Sequence, residues 1–224
     1  MSTSPFSNRK SSGMWCRIAA GKIVRSATEE TPGAVQVEKK RNGQGTGEYR
    51  WELHDDAVSG RIIRFEQKTD NWNGEDIQYL ILGLHHKASD TIINIQFKEG
   101  DRYWRALMYR LTGIDLSKEI TLAPYDFEPK EGGRRIGMNV LQDEEKIPAS
   151  FTKDDPNGLP EMEWVTFKGK KRADFTKQDA WLNGNVLRPT ADRLTALLAT
   201  SMPIGEPSGS DDVNEEDGYD PLPF

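Results

Sequence analysis

Residues 77–98 read IQYLILGLHHKASDTIINIQFK. Two strand-like runs, Ile77 to His86 and Thr91 to Lys98, flank a short linker at Ala88-Ser89-Asp90. So short a linker between strands predicts a hairpin. Leu80, Leu82 and Leu84 fall on one side of the first strand. If they face a core, Tyr79 faces the opposite way. Working outward, Arg61 to Lys68 (RIIRFEQK) reads as a preceding strand, and Asp70 to Gly74 (DNWNG) as the turn between the two. On the other side, Asp101 can cap a helix whose apolar face is Trp104, Leu107, Met108 and Leu111, with Gly113 as a left-handed stop. Glu119 to Phe127 and Arg134 to Leu141 read as two further strands around a turn at 128–133.

Three strands, a helix and two strands is the order of an OB-fold, a five-stranded Greek-key barrel with its helix between strands 3 and 4. The chain therefore reads as mainly β, an OB-like barrel with extra N-terminal strands and a short C-terminal helix. The added strands are Gly21 to Ser26, Ala34 to Lys39 and Tyr49 to His54. The glycine-rich stretch 42–47 does not match a dinucleotide fingerprint and leads into a strand, so it reads as a hairpin loop. Residues 150–188 read as irregular, and Thr190 to Thr200 as a helix capped by Thr190, with Leu194, Leu197 and Leu198 as its stripe. Three parts follow: a disordered segment 1–13, one OB-like domain 14–200, and a disordered tail 201–224.

The 224 residues carry 30 basic and 36 acidic side chains, a net charge of −6. Seven of the acids lie after residue 204, so residues 1–204 hold 29 acids against 30 bases. A near-neutral body thus carries an acidic tail, a pattern that points to an interaction tail or to nucleic-acid biology. A single cysteine excludes an internal disulfide, no apolar run is long enough to span a membrane, and residues 1–10 lack a secretory apolar core. The expected compartment is the cytoplasm. Neither a cofactor nor a metal is implied: three histidines and one cysteine are poor material for zinc, and no Walker A, EF-hand or HExxH pattern occurs. Cys16 with His85 or His86 lacks the third group a nucleophile–base pair needs.

The tail runs through Asp211, Asp212, Glu215, Glu216, Asp217 and Asp220 and ends Pro221-Leu222-Pro223-Phe224. A terminal Phe offers an aromatic ring and a carboxylate to an apolar pocket rimmed by cations. The two prolines restrict the peptide and lower the entropy lost on docking. This ending resembles the tails of bacterial and phage single-stranded DNA-binding proteins, in which an OB-fold is followed by an acidic segment with a terminal Pro-Phe. The strands around VQVEKK and YRWELH suggest a phage-encoded version. Leu222 stands where the bacterial ending has Ile, and Pro221 is extra. The resemblance implies a non-enzymatic protein of the host cytoplasm. It would coat single strands in replication or recombination and recruit partners through Asp211 to Asp220, Pro223 and Phe224.

Single strands are held without sequence preference by aromatic stacking along a basic groove. The aromatic candidates are Trp51, Trp72 and Tyr79. Trp72 is suggestive because it sits in a polar turn between the first two barrel strands, where no local apolar face demands it. The cationic candidates are Arg61, Arg64 and Lys68, then Arg134 and Arg135, and the cluster Lys168, Lys170, Lys171 and Arg172 between Phe167 and Phe175. Trp104 reads as core, while Trp15, Trp164 and Trp181 are open. The competing readings are a small β-rich metal-dependent nuclease and an OB-like protein-binding adaptor that takes no nucleic acid.

Overall fold

A computed structural model describes residues 13–41, 44–72 and 74–201. Ten strands form one mixed sheet: β1 (Met14–Ala19), β2 (Lys22–Ala27), β3 (Val35–Arg41), β4 (Gln44–Asp55), β5 (Val58–Trp72), β6 (Glu75–His86), β7 (Thr91–Lys98), β8 (Glu119–Phe127), β9 (Arg135–Gln142) and β10 (Glu145–Lys146). Their order is β10-β9-β8-β5-β6-β7-β1-β2-β4-β3. Among the described residues only β1 and β7 pair in parallel, with Cys16 opposite Ile95, and every other ladder of the sheet is antiparallel. The chain is thus mainly β, as expected. The N-terminal strands, however, are full members of the sheet, and β1 is the direct neighbour of β7.

The hairpin expected around 88–90 forms, with a single 3-10 turn at Lys87–Ser89 and Asp90 in the left-handed region. Leu80, Leu82 and Leu84 are almost fully buried on the core side of β6. The helix α1 (Arg102–Leu111) begins where the Asp101 carboxylate accepts from the Trp104 amide at 2.6 Å. It buries Trp104, Leu107, Met108 and Leu111, the predicted stripe, together with Tyr103. Gly113 is not left-handed; the helix ends at Thr112 in ordinary right-handed geometry. The turn expected over Asp70 to Gly74 is smaller. Asp70, Asn71 and Trp72 pair in the ladder with Ile77, Asp76 and Glu75, and Gly74, just before Glu75, has φ +82.

Residues 150–162 are irregular, as expected, but 163–188 are not. They contain a hairpin of β11 (Glu163–Phe167) and β12 (Lys170–Asp174), then α2 (Thr176–Leu182). A π-helical stretch, Asn183–Leu187, carries the chain from α2 into α3 (Arg188–Ser201). Thr190 is therefore inside a continuing helix and 2% exposed, not a cap, while Leu194, Leu197 and Leu198 do face the core. The wider π turn loosens the helix just ahead of Pro189, which has no N–H to give.

The sheet curls. The tip of the β1–β2 hairpin, Ala20-Gly21, reaches β8, which lies four places from β1 and five from β2 in the strand order. A side chain at Gly21 (φ +73) would lie 2.5 Å from the Asp126 amide nitrogen, so this approach requires glycine. The Gly21 N–H donates to the Tyr103 hydroxyl at 2.9 Å and ties the tip to α1. No ladder joins β2 to β8, and the sheet stays open. Inside the curl, Cys16 and Ile23 share one core with Ile62, Phe97, Leu122, Met138 and the apolar face of α1. Among the described residues no helix is long and apolar enough to cross a membrane. The disorder expected for 1–13 and 201–224 falls outside the described residues, apart from Gly13 and Ser201.

Candidate nucleic-acid interface

The ladders place specific side chains on the outer face of the sheet, away from the core. Side chains alternate along each strand, so residues paired across a ladder share a face. Tyr79 lies between Lys68 and Lys98 in one row across β5, β6 and β7. In the next row Ile81 pairs with Gln96, and Gln96 with Arg17 of β1. In the third, Arg64, Gly83, Asn94 and Trp15 follow one another. A bulge between Ile62 and Arg64 puts Ile62 in the core while Arg64 stays outside. Gly83 leaves room for the Arg64 side chain, whose Nη2 donates to Asn94 Oδ1 at 2.6 Å. The same guanidinium lies 3.3 Å from Glu66, and Lys68 lies 2.9 Å from Asp70.

Where β1, β2 and β4 meet, the face opens into a cleft of about 250 Å³, lined by Trp15, Arg17, Val24, Arg50, Glu52 and Gln96 among others. Trp15 is 45% exposed at this cleft. Glu52 lies beneath it, 4% exposed, and its Oε1 accepts from Arg17 Nη2 at 2.7 Å and lies 2.5 Å from Arg50 Nε. His54 Nε2 is 3.1 Å from Oε2. Burial pushes the Glu52 carboxyl up, but hydrogen bonds from His54 and Arg17 and the charges of Arg17 and Arg50 outweigh it. The group rests below the ordinary carboxylate range. The pairing carries no comparable cost for the arginines, whose side chains are 44% and 46% exposed. Along the three rows and at the cleft, Lys68, Lys98, Arg64, Arg17 and Arg50 stand with the carboxylates Glu66 and Glu52, and Arg25 also lines the cleft.

Of the residues singled out in the sequence, the sheet brings together Arg61, Arg64, Lys68 and Tyr79 on this face, with Arg61 opposite His85. Trp51, opposite Ala27 and Gln36, projects from the other face of β4 than Glu52 does. Trp72 closes β5, and its side chain lies outside the described residues. Arg134, whose side chain is 62% exposed, makes a bidentate pair with Asp126, both bonds 2.6 Å. Arg135 is exposed at the start of β9, opposite Phe127 and remote in the strand order from β6, β7 and β1. Lys168, Lys170, Lys171 and Arg172 sit on the separate β11–β12 hairpin with Trp164, Val165 and Phe167 exposed. There Arg172 lies 5.0 Å and Lys168 5.4 Å from the Phe167 ring centre. The tail residues Asp211, Asp212, Glu215, Glu216, Asp217, Asp220, Pro223 and Phe224 lie outside the described residues.

Sequence reading missed Trp15, Arg17, Arg50 and Lys98. Lys98 follows from Tyr79 by hairpin register, once Tyr79 and Thr91-to-Lys98 are taken as paired strands. Trp15 and Arg17 carry no local signal, because only the parallel β1–β7 ladder brings them to the face. Cys16 is buried, and burial pushes its thiol up to about 11, so it is not a poised nucleophile. His85 and His86 are engaged in the turn after β6, with Asp90 and Ser89 at 2.8 Å. Among the described residues no group of three or more His, Cys, Asp or Glu converges as a metal site would require. No protein-family model, curated protein or solved structure matches the chain.

Proposed function

We propose that the chain is a sequence-independent single-stranded DNA-binding protein, phage-type, that coats strands in replication or recombination and recruits partners through its acidic tail. The observation that carries this reading is the outer face of the sheet. Trp15 and Tyr79 stand there among Arg17, Arg50, Arg64, Lys68 and Lys98. Aromatic rings stack on any base and cations meet any phosphate, so such a face grips a strand without reading it. Neutralised phosphates release counterions, and affinity falls as salt rises.

The ladders also favour an OB-like reading of 58–142. Strands β5, β6, β7, β8 and β9 pair β5 with β6, β6 with β7, β5 with β8 and β8 with β9, and α1 lies between β7 and β8 in the chain. In that reading β1 takes the parallel position beside β7, and the exposed side of β6 and β7 is the face that OB-folds use for oligonucleotides. The tail acts in two ways. Its carboxylates compete with DNA for the cations at high local concentration, and Pro223-Phe224 docks on partner proteins.

The test is a titration of the full chain with oligo-dT, read by anisotropy and tryptophan quenching at several salt concentrations, with product analysis. Salt-sensitive binding without cleavage is expected. Cleavage of the strand supports a nuclease instead, and no binding at low salt supports a protein adaptor.

A further inference from the structure

The cleft beside Trp15 has an unusual floor. A nearly buried carboxylate, Glu52, sits on β4 within the face that has to attract phosphate. By charge alone it is a defect, since an acid beneath a polyanion site weakens binding. Its geometry suggests another role. One oxygen of Glu52 engages both Arg17 and Arg50, which come from strands separated by β2. Arg17 makes its contact through Nη2 and Arg50 through Nε, both on half-exposed side chains, and a guanidinium carries five donors in all. Two guanidiniums held against one anion neither repel each other apart nor sample their many rotamers. Trp15 lies two residues before Arg17 on the same strand and the same face, and lines the same cleft.

We infer that Glu52 is a positioning residue that presents Arg17 and Arg50 as a paired clamp for one phosphodiester, beside Trp15, which stacks on the adjoining base. This rests on the single-strand reading above and assigns one nucleotide of the strand to this cleft. The ligand chemistry is a base joined to a phosphate, held at both ends, with excess positive charge supplied by two guanidiniums against one carboxylate.

The inference is tested by a substitution for which charge and positioning predict opposite signs. Glu52→Gln removes a negative charge and keeps the shape. If Glu52 positions the arginines, oligo-dT affinity falls about 3- to 10-fold, the range expected when one or two long side chains must be ordered on binding. If Glu52 is only an acid on a cationic face, affinity stays the same or rises. Glu66→Gln is the control: Glu66 is half-exposed on the same face, 3.3 Å from Arg64, and its loss should leave binding equal or tighter. The double substitution Arg17→Lys with Arg50→Lys keeps every charge and every acid. It should weaken binding by a similar factor with an unchanged salt slope, because an ammonium cannot fork onto a phosphate. Thermal melts verify that each variant folds, and the lysine pair answers the question if Glu52→Gln does not. An oligomer with abasic sites separates the two halves of the clamp: Glu52→Gln should weaken it as much as the intact strand, while Trp15→Ala should not. Unchanged or tighter binding by folded Glu52→Gln, or full affinity in the lysine pair, overturns the clamp. Failure of the unaltered protein to bind dT overturns the single-strand reading itself and leaves the cluster a structural ion pair.

Discussion

Two tryptophans of this chain invite the same deletion and should give opposite results. Trp15 is 45% exposed on the outer face, whereas Trp104 is 0% exposed at the centre of the core. Trp15→Ala removes a ring that is half in water already, so stability should change by less than about 1 kcal/mol. If the ring stacks on a base, binding loses about 1–3 kcal/mol, which is about 5- to 150-fold in Kd. Trp104→Ala leaves a cavity among Leu107, Met108, Leu111 and the strands, and should destabilise by about 3–5 kcal/mol. The fraction that remains folded should bind with unaltered affinity. Trp104→Phe adds a finer check. Among the described residues the indole Nε1 of Trp104 is buried without a hydrogen-bond partner, so losing it relieves a polar group that costs about 1–3 kcal/mol and offsets much of the lost volume. Denaturant melts and oligo-dT anisotropy on the three variants measure both quantities. Trp15→Ala that destabilises strongly while binding normally, or Trp104→Ala that weakens binding without destabilising, would refute the assignment of faces.

Three further expectations concern other parts of the molecule. Arg105 forms a bidentate pair with Asp179 at 2.6 and 2.7 Å and stacks on Phe175 at 4.0 Å, with both partners of the pair mostly buried. Asp179→Ala should cost about 3 kcal/mol by stranding the guanidinium, while Arg105→Met with Asp179→Leu should melt close to the unaltered protein. Burial raises the Cys16 thiol from 9.0 to about 11, so its contribution is complete below pH about 9 and is lost as pH rises towards 11. The loss is at most about 2–3 kcal/mol, and Cys16→Ala should show a flatter decline of melting temperature between pH 8 and 10.5. Neutralising Lys168, Lys170, Lys171 and Arg172 should shallow the slope of log K against log salt by about 0.7 for each phosphate that the hairpin no longer neutralises. An unchanged slope would leave the β11–β12 hairpin outside the path of the strand.

Elements built from local patterns were legible in the sequence. Thr91 to Lys98 and Glu119 to Phe127 alternate cleanly and form over those bounds, and Asp101 caps α1 where the spacing of Trp104, Leu107, Met108 and Leu111 places it. What failed depended on partners distant in the chain. Thr190 looks like a cap only because Pro189 precedes it, while a π turn from α2 continues the helix through it. Asp70 to Trp72 have turn composition but are held straight by eleven paired positions along β5 and β6. The β11–β12 hairpin does carry a local signal: Lys168-Gly169, both at positive φ, between two short alternating runs. The site divided the same way. Tyr79 was legible from the leucines that alternate with it, whereas the Trp15 cleft exists only because β1 crosses to lie parallel with β7 and carries β2 and β4 beside it.

Photocrosslinking tests the central claim most directly. A dT oligomer carrying 5-iodouracil, bound at low salt and irradiated, should attach to the peptides that contain Trp15 and Tyr79, the aromatics on the cationic outer face. Crosslinks there that disappear at high salt are the predicted result. Adducts confined to Tyr49 and Trp51 on the opposite face, or to Trp164 and Phe167 on the hairpin, would contradict it.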